Sequence, residues 1–268
     1  MENTVKAAQL NNEIIEQVLN ATVEEPEQPV QLTSPSDTTV NLPAGYVMAS
    51  GEVARTAEVR ELTGKDEELI GKGGGAIKAY ATILRQATVS IGGEPVTEQI
   101  LDSLIIGDRD AIVLGIYKAT FGNNVELPGF CGQCSEFKSI AIDIDRDVPI
   151  KVLVDPIKDR TFEVEGKTHK FLVTLPTGIL QKEIASIDEN NNGEKNTLLL
   201  KNSILEIDGK PVLGKAQIQS LGIMDRNKVA LELSNRLPGP QFDDLFLPCD
   251  QCDGEVVVPF NLGALFRF

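Results

Sequence analysis

At 268 residues, with 41% hydrophobic side chains, the chain is long enough to bury one large core or two modest ones. Its 40 acidic against 25 basic residues leave a net charge of −15, a surface that repels phosphate backbones and disfavours nucleic acid as a partner. No apolar run is long enough to span a bilayer and the opening Met1-Glu2-Asn3 does not read as a secretion signal, so folding in a reducing cytoplasm is expected.

Residues 1–40 carry seven acids (Glu2, Glu13, Glu16, Glu24, Glu25, Glu27, Asp37) against one base, Lys6, and no aromatic residue. Leu10, Ile14, Ile15, Val18 and Leu19 fall at helical spacing, so residues 5–20 are expected to form an amphipathic helix. Pro26, Pro29 and Pro35 then break any helix and leave a tether. The stretch reads as an acidic N-terminal arm, either solvated or folding onto a partner.

Residues 41–150 form a first α+β unit. Tyr46 to Leu62 alternates as two strands about a turn at Ser50-Gly51-Glu52. Thr63 has the place of a helix N-cap, with Asp66 and Glu67 in the first turn where the helix dipole favours acids. Gly71-Lys72-Gly73-Gly74-Gly75 is a connector; a phosphate loop needs Ser or Thr after the lysine. A helix over Ala76–Gln86, a short strand and turn over Ala87–Val96 and a helix from Thr97 follow. Asp108 is then expected to cap a helix that turns Ile112, Val113, Ile116 and Phe121 to a core and stops at Gly122-Asn123-Asn124. Beyond a cysteine turn, Ser139 to Val154 alternates as a strand.

Residues 151–268 form the second unit, opening with strands at Thr161–Val164 and Lys170–Leu175 around Gly166. His169, the sole histidine, lies on that hairpin as a surface residue. Asp188-Glu189-Asn190-Asn191-Asn192-Gly193 matches the start of a calcium loop, but the twelfth position is Leu199 where a bidentate Glu is required, so it reads as an exposed loop. Asp225 caps a helix matching that at Asp108, with Val229, Ala230 and Leu233 in the places of Ile112, Val113 and Ile116. The apolar close from Leu262 to Phe268 reads as buried or partner-bound text.

All four cysteines lie in two Cys-x-Gln-Cys turns, Cys131/Cys134 and Cys249/Cys252. A two-residue gap lets both thiolates of a turn face one cation, so Cys131, Cys134, Cys249 and Cys252 form a candidate tetrahedral set for zinc. The text before each pair also repeats. Thr63-Gly64 recurs as Thr177-Gly178, 114 positions on; Ile91-Gly92-Gly93-Glu94-Pro95-Val96 as Ile207-Asp208-Gly209-Lys210-Pro211-Val212, 116 on; Asp108-Arg109 as Asp225-Arg226, 117 on; and Cys131 as Cys249, 118 on. This order predicts a tandem duplication: two α+β units joined by a zinc-ribbon-like four-cysteine site, behind an extended N-terminal arm. One structural Zn2+ per chain, clamping the units on a pseudo-two-fold axis, is the favoured reading. Two disulfides, or pairs completed by another subunit, are the alternatives.

Catalysis has little support. One histidine, no Gly-x-Ser-x-Gly and no His-Glu-x-x-His are present, and four thiolates leave zinc no open position for water.

The run Val59-Arg60-Glu61-Leu62-Thr63-Gly64-Lys65-Asp66-Glu67-Glu68, then Leu104-Ile105-Ile106-Gly107-Asp108-Arg109-Asp110, a helix, Phe121-Gly122, a Cys-x-x-Cys and an acidic Ile-rich strand resembles the baseplate hub subunit family of T-even-type contractile-tailed bacteriophages. The similarity covers mainly residues 45–150, with a fainter echo in 170–268; the cysteine turns lack the family's Cys-Pro-x-Cys-Gly form. The resemblance implies a structural, non-enzymatic virion component, made in the host cytoplasm and resident in the tail baseplate. It further implies a place in a symmetric assembly of baseplate and tail proteins, contacted through residues 5–20 and 260–268. A tail assembly chaperone absent from the mature particle, a metal-stabilised adaptor and, further off, a nucleic-acid enzyme subunit are the competing readings.

Overall fold

The computed structural model describes residues 38–73, 75–188 and 190–266; the helix expected at residues 5–20 lies outside them. Strand β1 (Thr39–Val47) begins within the stretch assigned to the arm and pairs antiparallel with β2 (Val53–Val59). Helix α1 (Gly64–Gly73) starts where Thr63 forecasts, with the Asp66 side chain folded back onto Thr63. The Asp66 carboxylate accepts from the Thr63 backbone N–H at 2.9 Å and its hydroxyl at 2.7 Å, satisfying a donor the helix leaves orphaned. Arg60, which also donates to that carboxylate at 2.7 Å, holds Asp66 well below the usual carboxylate range. Helix α2 (Ala76–Ala87), strands β3 (Thr88–Ile91) and β4 (Glu94–Pro95) and helix α3 (Glu98–Ser103) follow the sequence reading. Thr97 caps α3 by accepting from Ile100 N–H at 3.2 Å. Helix α4 (Ile106–Phe121) lies against the sheet β1-β2-β3-β4, its Ile112, Val113 and Ile116 in a core with Leu42, Ile83, Leu84 and Ile91.

The same succession of elements then occurs again. Strands β8 (Thr161–Glu165) and β9 (Lys170–Thr174) lead to α6 (Gly178–Ile184) and α7 (Asn192–Ser203). Strands β10 (Ile204–Ile207) and β11 (Lys210–Pro211) lead to α8 (Lys215–Gln219) and α9 (Ile223–Arg236). The sheet order β8-β9-β10-β11 matches that of the first half, and Val229 and Leu233 of α9 pack with Phe171, Val173, Leu200 and Ile204. Thr177 stands at the cap of α6 without the side-chain hydrogen bond made at Thr63. The Asp188–Gly193 stretch is partly helical: Asn191 caps α7 by accepting from Glu194 N–H at 3.1 Å.

Several expectations are corrected. Residues 71–73, expected in a connector, continue α1. Asp108 and Asp225 do not cap their helices; each lies in the first turn, buried, with its carboxylate turned to another part of the backbone. Asp108 accepts from Ala44 N–H at 2.7 Å, within β1 where its register with β2 shifts, and Asp225 from the N–H groups of Lys167 and Thr168 in the β8–β9 turn. Each aspartate thus ties the last helix of its half to the first hairpin. Phe121 is not a core residue: it is 59% exposed at the end of α4, edged by Tyr117. The strand forecast for Ser139–Val154 stops at Asp143, because the Asp143 carboxylate accepts from Arg146 N–H at 3.1 Å and starts the short helix α5 (Ile144–Asp147).

Each half ends in a hairpin: β5 (Asn124–Cys131) with β6 (Glu136–Asp143), and β13 (Asp244–Pro248) with β14 (Glu255–Pro259). The hairpins merge into one sheet, β13-β14-β5-β6, through β14 against β5. Gly129 permits that approach, since a Cβ there would lie 2.6 Å from Val256 Cγ1. A two-fold axis would pair β5 with its own counterpart β13, or β6 with β14; the observed pairing of β5 with β14 has no such symmetry. Strand β7 (Ile150–Lys151) pairs with β12 (Gly239–Pro240), and helix α10 (Leu262–Phe266) buries Leu265 beside Phe260. Among the described residues no helix is long and apolar enough to cross a membrane.

Candidate metal centre

Cys131 ends β5 and Cys134 lies in the β5–β6 turn; Cys249 follows β13 and Cys252 lies in the β13–β14 turn. Because β14 adds to β5 with Val256 opposite Cys131, both turns reach the same end of the shared sheet. The four sulfurs lie within 4.8 Å of one another. Cys131 and Cys252 are 3.7 Å apart, Cys134 and Cys249 3.6 Å, and Cys134 and Cys252 3.5 Å. A tetrahedron of thiolates about 2.3 Å from zinc has edges of about 3.8 Å. All four thiols are free, at distances far beyond the ~2.05 Å of a disulfide. The four cysteines are positioned to hold one metal ion, and neither the disulfide alternative nor completion by another subunit is needed.

The backbone around the sulfurs is arranged for negative charge. Cys131 is lowered from the ordinary thiol value chiefly by the N–H of Cys134. Cys249 is lowered to about 6, first by the N–H of Gln251 and further by Lys138. Cys134, packed among the other thiols, is pushed up to about 12 by its contacts with Cys131 and Cys252. Three neighbouring sulfurs make a fourth anion costly, so the set invites a cation that would take all four as thiolates.

Sequence reasoning missed the surroundings of these ligands. Lys138, on β6, has a side chain only 9% exposed; it pairs with Asp250 and lies beside Cys249, where its charge offsets part of the thiolate excess. Gly254 admits the opposite turn, since a Cβ there would meet Gln133 Oε1 at 2.8 Å and Cys252 Sγ at 3.3 Å. A lysine four residues beyond Cys134 was the legible signal, but only the cross-strand pairing shows that it serves the other cysteine pair.

Other titratable groups among the described residues form separate pairs. His169 Nδ1 lies 2.7 Å from Asp208 on the outer hairpin. Tyr80 donates to Asp110 at 2.9 Å beneath Arg109, and burial pushes Asp110 up to about 6. The chain matches no family model, no curated protein and no solved structure.

Proposed function

We propose that this protein is a zinc-stapled structural component of a contractile phage tail, acting in assembly of the baseplate hub. The carrying observation is the convergence of Cys131, Cys134, Cys249 and Cys252 from hairpins more than a hundred residues apart in sequence. Four thiolates fill the coordination of zinc and leave no position for water or substrate, so the metal ties the two halves of the chain together. The repeated order of elements, with Asp108 and Asp225 in matching roles, supports descent of the halves from a tandem duplication.

The baseplate assignment rests on the resemblance carried by residues 59–68 and 104–110. These residues cap α1 and form the α3–α4 corner. Residues 5–20 are assigned to neighbouring tail subunits. The close of the chain divides its contacts: Phe260 and Leu265 are buried in this chain's own core, leaving the outer side of 260–266 to a neighbour, while the rest of 260–268 lies outside the described residues.

Mass spectrometry and metal analysis of purified virions test this reading. Presence at fixed stoichiometry with one zinc per chain supports it. Absence from particles whose tails nevertheless require the protein assigns it instead as an assembly chaperone.

A further inference from the structure

The two halves meet through surfaces that differ. The α3–α4 corner of the first half receives the start of α6 from the second: Ile106 N–H donates to Pro176 O at 3.1 Å, Gly178 N–H donates to Leu104 O at 2.9 Å, and Ile105 bridges Thr177. Gly178 is needed at this contact, since a Cβ there would lie 2.0 Å from Arg109 Nη1. Across the rim Lys182 of α6 pairs with Glu98 at 2.8 Å and Asp102 at 3.0 Å of α3.

Each half has the counterpart of the surface that the other uses, and both counterparts are open. In the second half the α8–α9 corner, Leu221-Gly222-Ile223, stands where Leu104-Ile105-Ile106 stands in the first. There Ile223 is 73% and the adjoining Met224 65% exposed, and Gly222 has open space about its Cα. In the first half Leu62-Thr63-Gly64 stands where Pro176-Thr177-Gly178 stands in the second. Gly64 likewise has open space, and the segment edges a groove of about 460 Å3 with Ile70 and Phe121. Ile223 and Gly64 are the first residues of their helices, whose N–H groups have no partner within the helix. Charge is complementary with its sign exchanged: Glu68 holds the place of Lys182, and Lys215, half exposed and paired with Glu194, holds that of Glu98.

We propose that this chain associates head to tail with copies of itself, the Gly222–Met224 corner of one entering the Leu62–Gly64 groove of the next. Ile223 N–H donates to Leu62 O of the next copy and Gly64 N–H of that copy to Leu221 O, repeating the contact made once within the chain. The two surfaces are unlike, so the contact does not close on itself in a dimer; it gives a ring or a fibre according to the rotation per copy. A charge of −15 on each chain opposes assembly at low ionic strength, and salt relieves it. The inference rests on the chain's internal interface and not on the baseplate assignment.

Sedimentation velocity of the full-length, metal-loaded chain, over a range of concentration and salt, is the test. Species larger than a dimer are expected, growing with both. Met224→Glu and Gly64→Arg, at exposed positions, should each leave a monomer with unchanged metal content. Mixed, the two variants should form a one-to-one dimer and nothing larger, because each keeps the surface the other lacks. A chain that stays monomeric throughout, oligomers indifferent to either variant, or a dimer abolished by both and not restored on mixing would overturn the proposal.

Discussion

Helices α4 and α9 occupy the same place in the two halves and have opposite surroundings. In α9 the buried residues are Asp225, Val229 and Leu233, a single stripe at four-residue spacing. In α4 the counterparts Asp108, Ile112 and Ile116 are buried too, but so are Ala111 and Gly115 beside them and Gly107 and Leu114 further round the helix. The substitutions explain it. Gly115 lets Val40 approach, since a Cβ there would lie 2.2 Å from Val40 Cγ2, whereas its counterpart Glu232 pairs with Lys228 at 2.8 Å in water. Lys228 in turn stands where Ala111 stands in α4. One helix plan therefore serves as the centre of the molecule or as its surface, according to whether one face carries small residues or an i,i+4 ion pair.

The strongest way to break this picture is to cut the joint. Cys131→Ser and Cys249→Ser should each release the metal, with loss of hydrogen-exchange protection in both β5 and β14. Structural zinc contributes on the order of 10 kcal/mol in small domains, more than any single core side chain. If only the half carrying the substitution loosens, the site is not shared. Next in size is the contrast at one matched position. Gly107→Ala drives a Cβ to 1.6 Å from Pro238 O and should cost about 3 kcal/mol in urea unfolding, while Met224→Ala, its counterpart on the exposed side of α9, should change stability by about 0.5 kcal/mol or less. Equal costs would show that the two helices are not differently buried in solution.

A third experiment sharpens what the halves share. Asp108→Ala should cost about 1–3 kcal/mol, because it strands the buried Ala44 N–H, and Asp225→Ala about 1 kcal/mol, because the Lys167 and Thr168 N–H groups it serves are only partly buried. A neutral result at either site would end the parallel. The smallest effect is in pH. Burial pushes Asp108 up to about 6, above its unfolded value near 4, so its protonated form favours the folded state. Its contribution is present below pH ~4 and is lost as pH rises through about 6. The stability difference between wild type and Asp108→Asn should therefore shift against wild type by about 2 kcal/mol or less over that window. Using the difference cancels the thiolates, which titrate in both proteins. A flat difference would mean that water reaches this carboxylate.

Local pattern was a sound guide wherever a side chain acts on its own backbone. Thr63 with Asp66, Thr97 at α3 and the strand after Gly51 each follow from a few neighbouring residues, and each appears as read. The same logic misassigned Asp108 and Asp225, which resemble caps because an acid early in a helix is favourable in any case. Their partners, Ala44 and the Lys167–Thr168 turn, are 64 and 58 residues away, and no local signal reports that distance. Phe121 follows the apolar period of α4 but falls where the helix leaves the core, so periodicity assigned a face and not a depth.

By itself the sequence determined the helices at Thr63, Ala76 and Thr97, the matched landmarks and the four cysteines as one candidate set, because these depend on residue type and spacing along the chain. Only the tertiary structure decided that β14 adds to β5, that Lys138 of one hairpin serves the cysteines of the other, and that α4 and not α9 becomes the central helix. Those outcomes depend on which surfaces meet. Strand pairing and helix burial across more than a hundred residues are selected by complementary shape, such as Gly129 under Val256 and Gly115 under Val40, which a one-dimensional pattern does not contain.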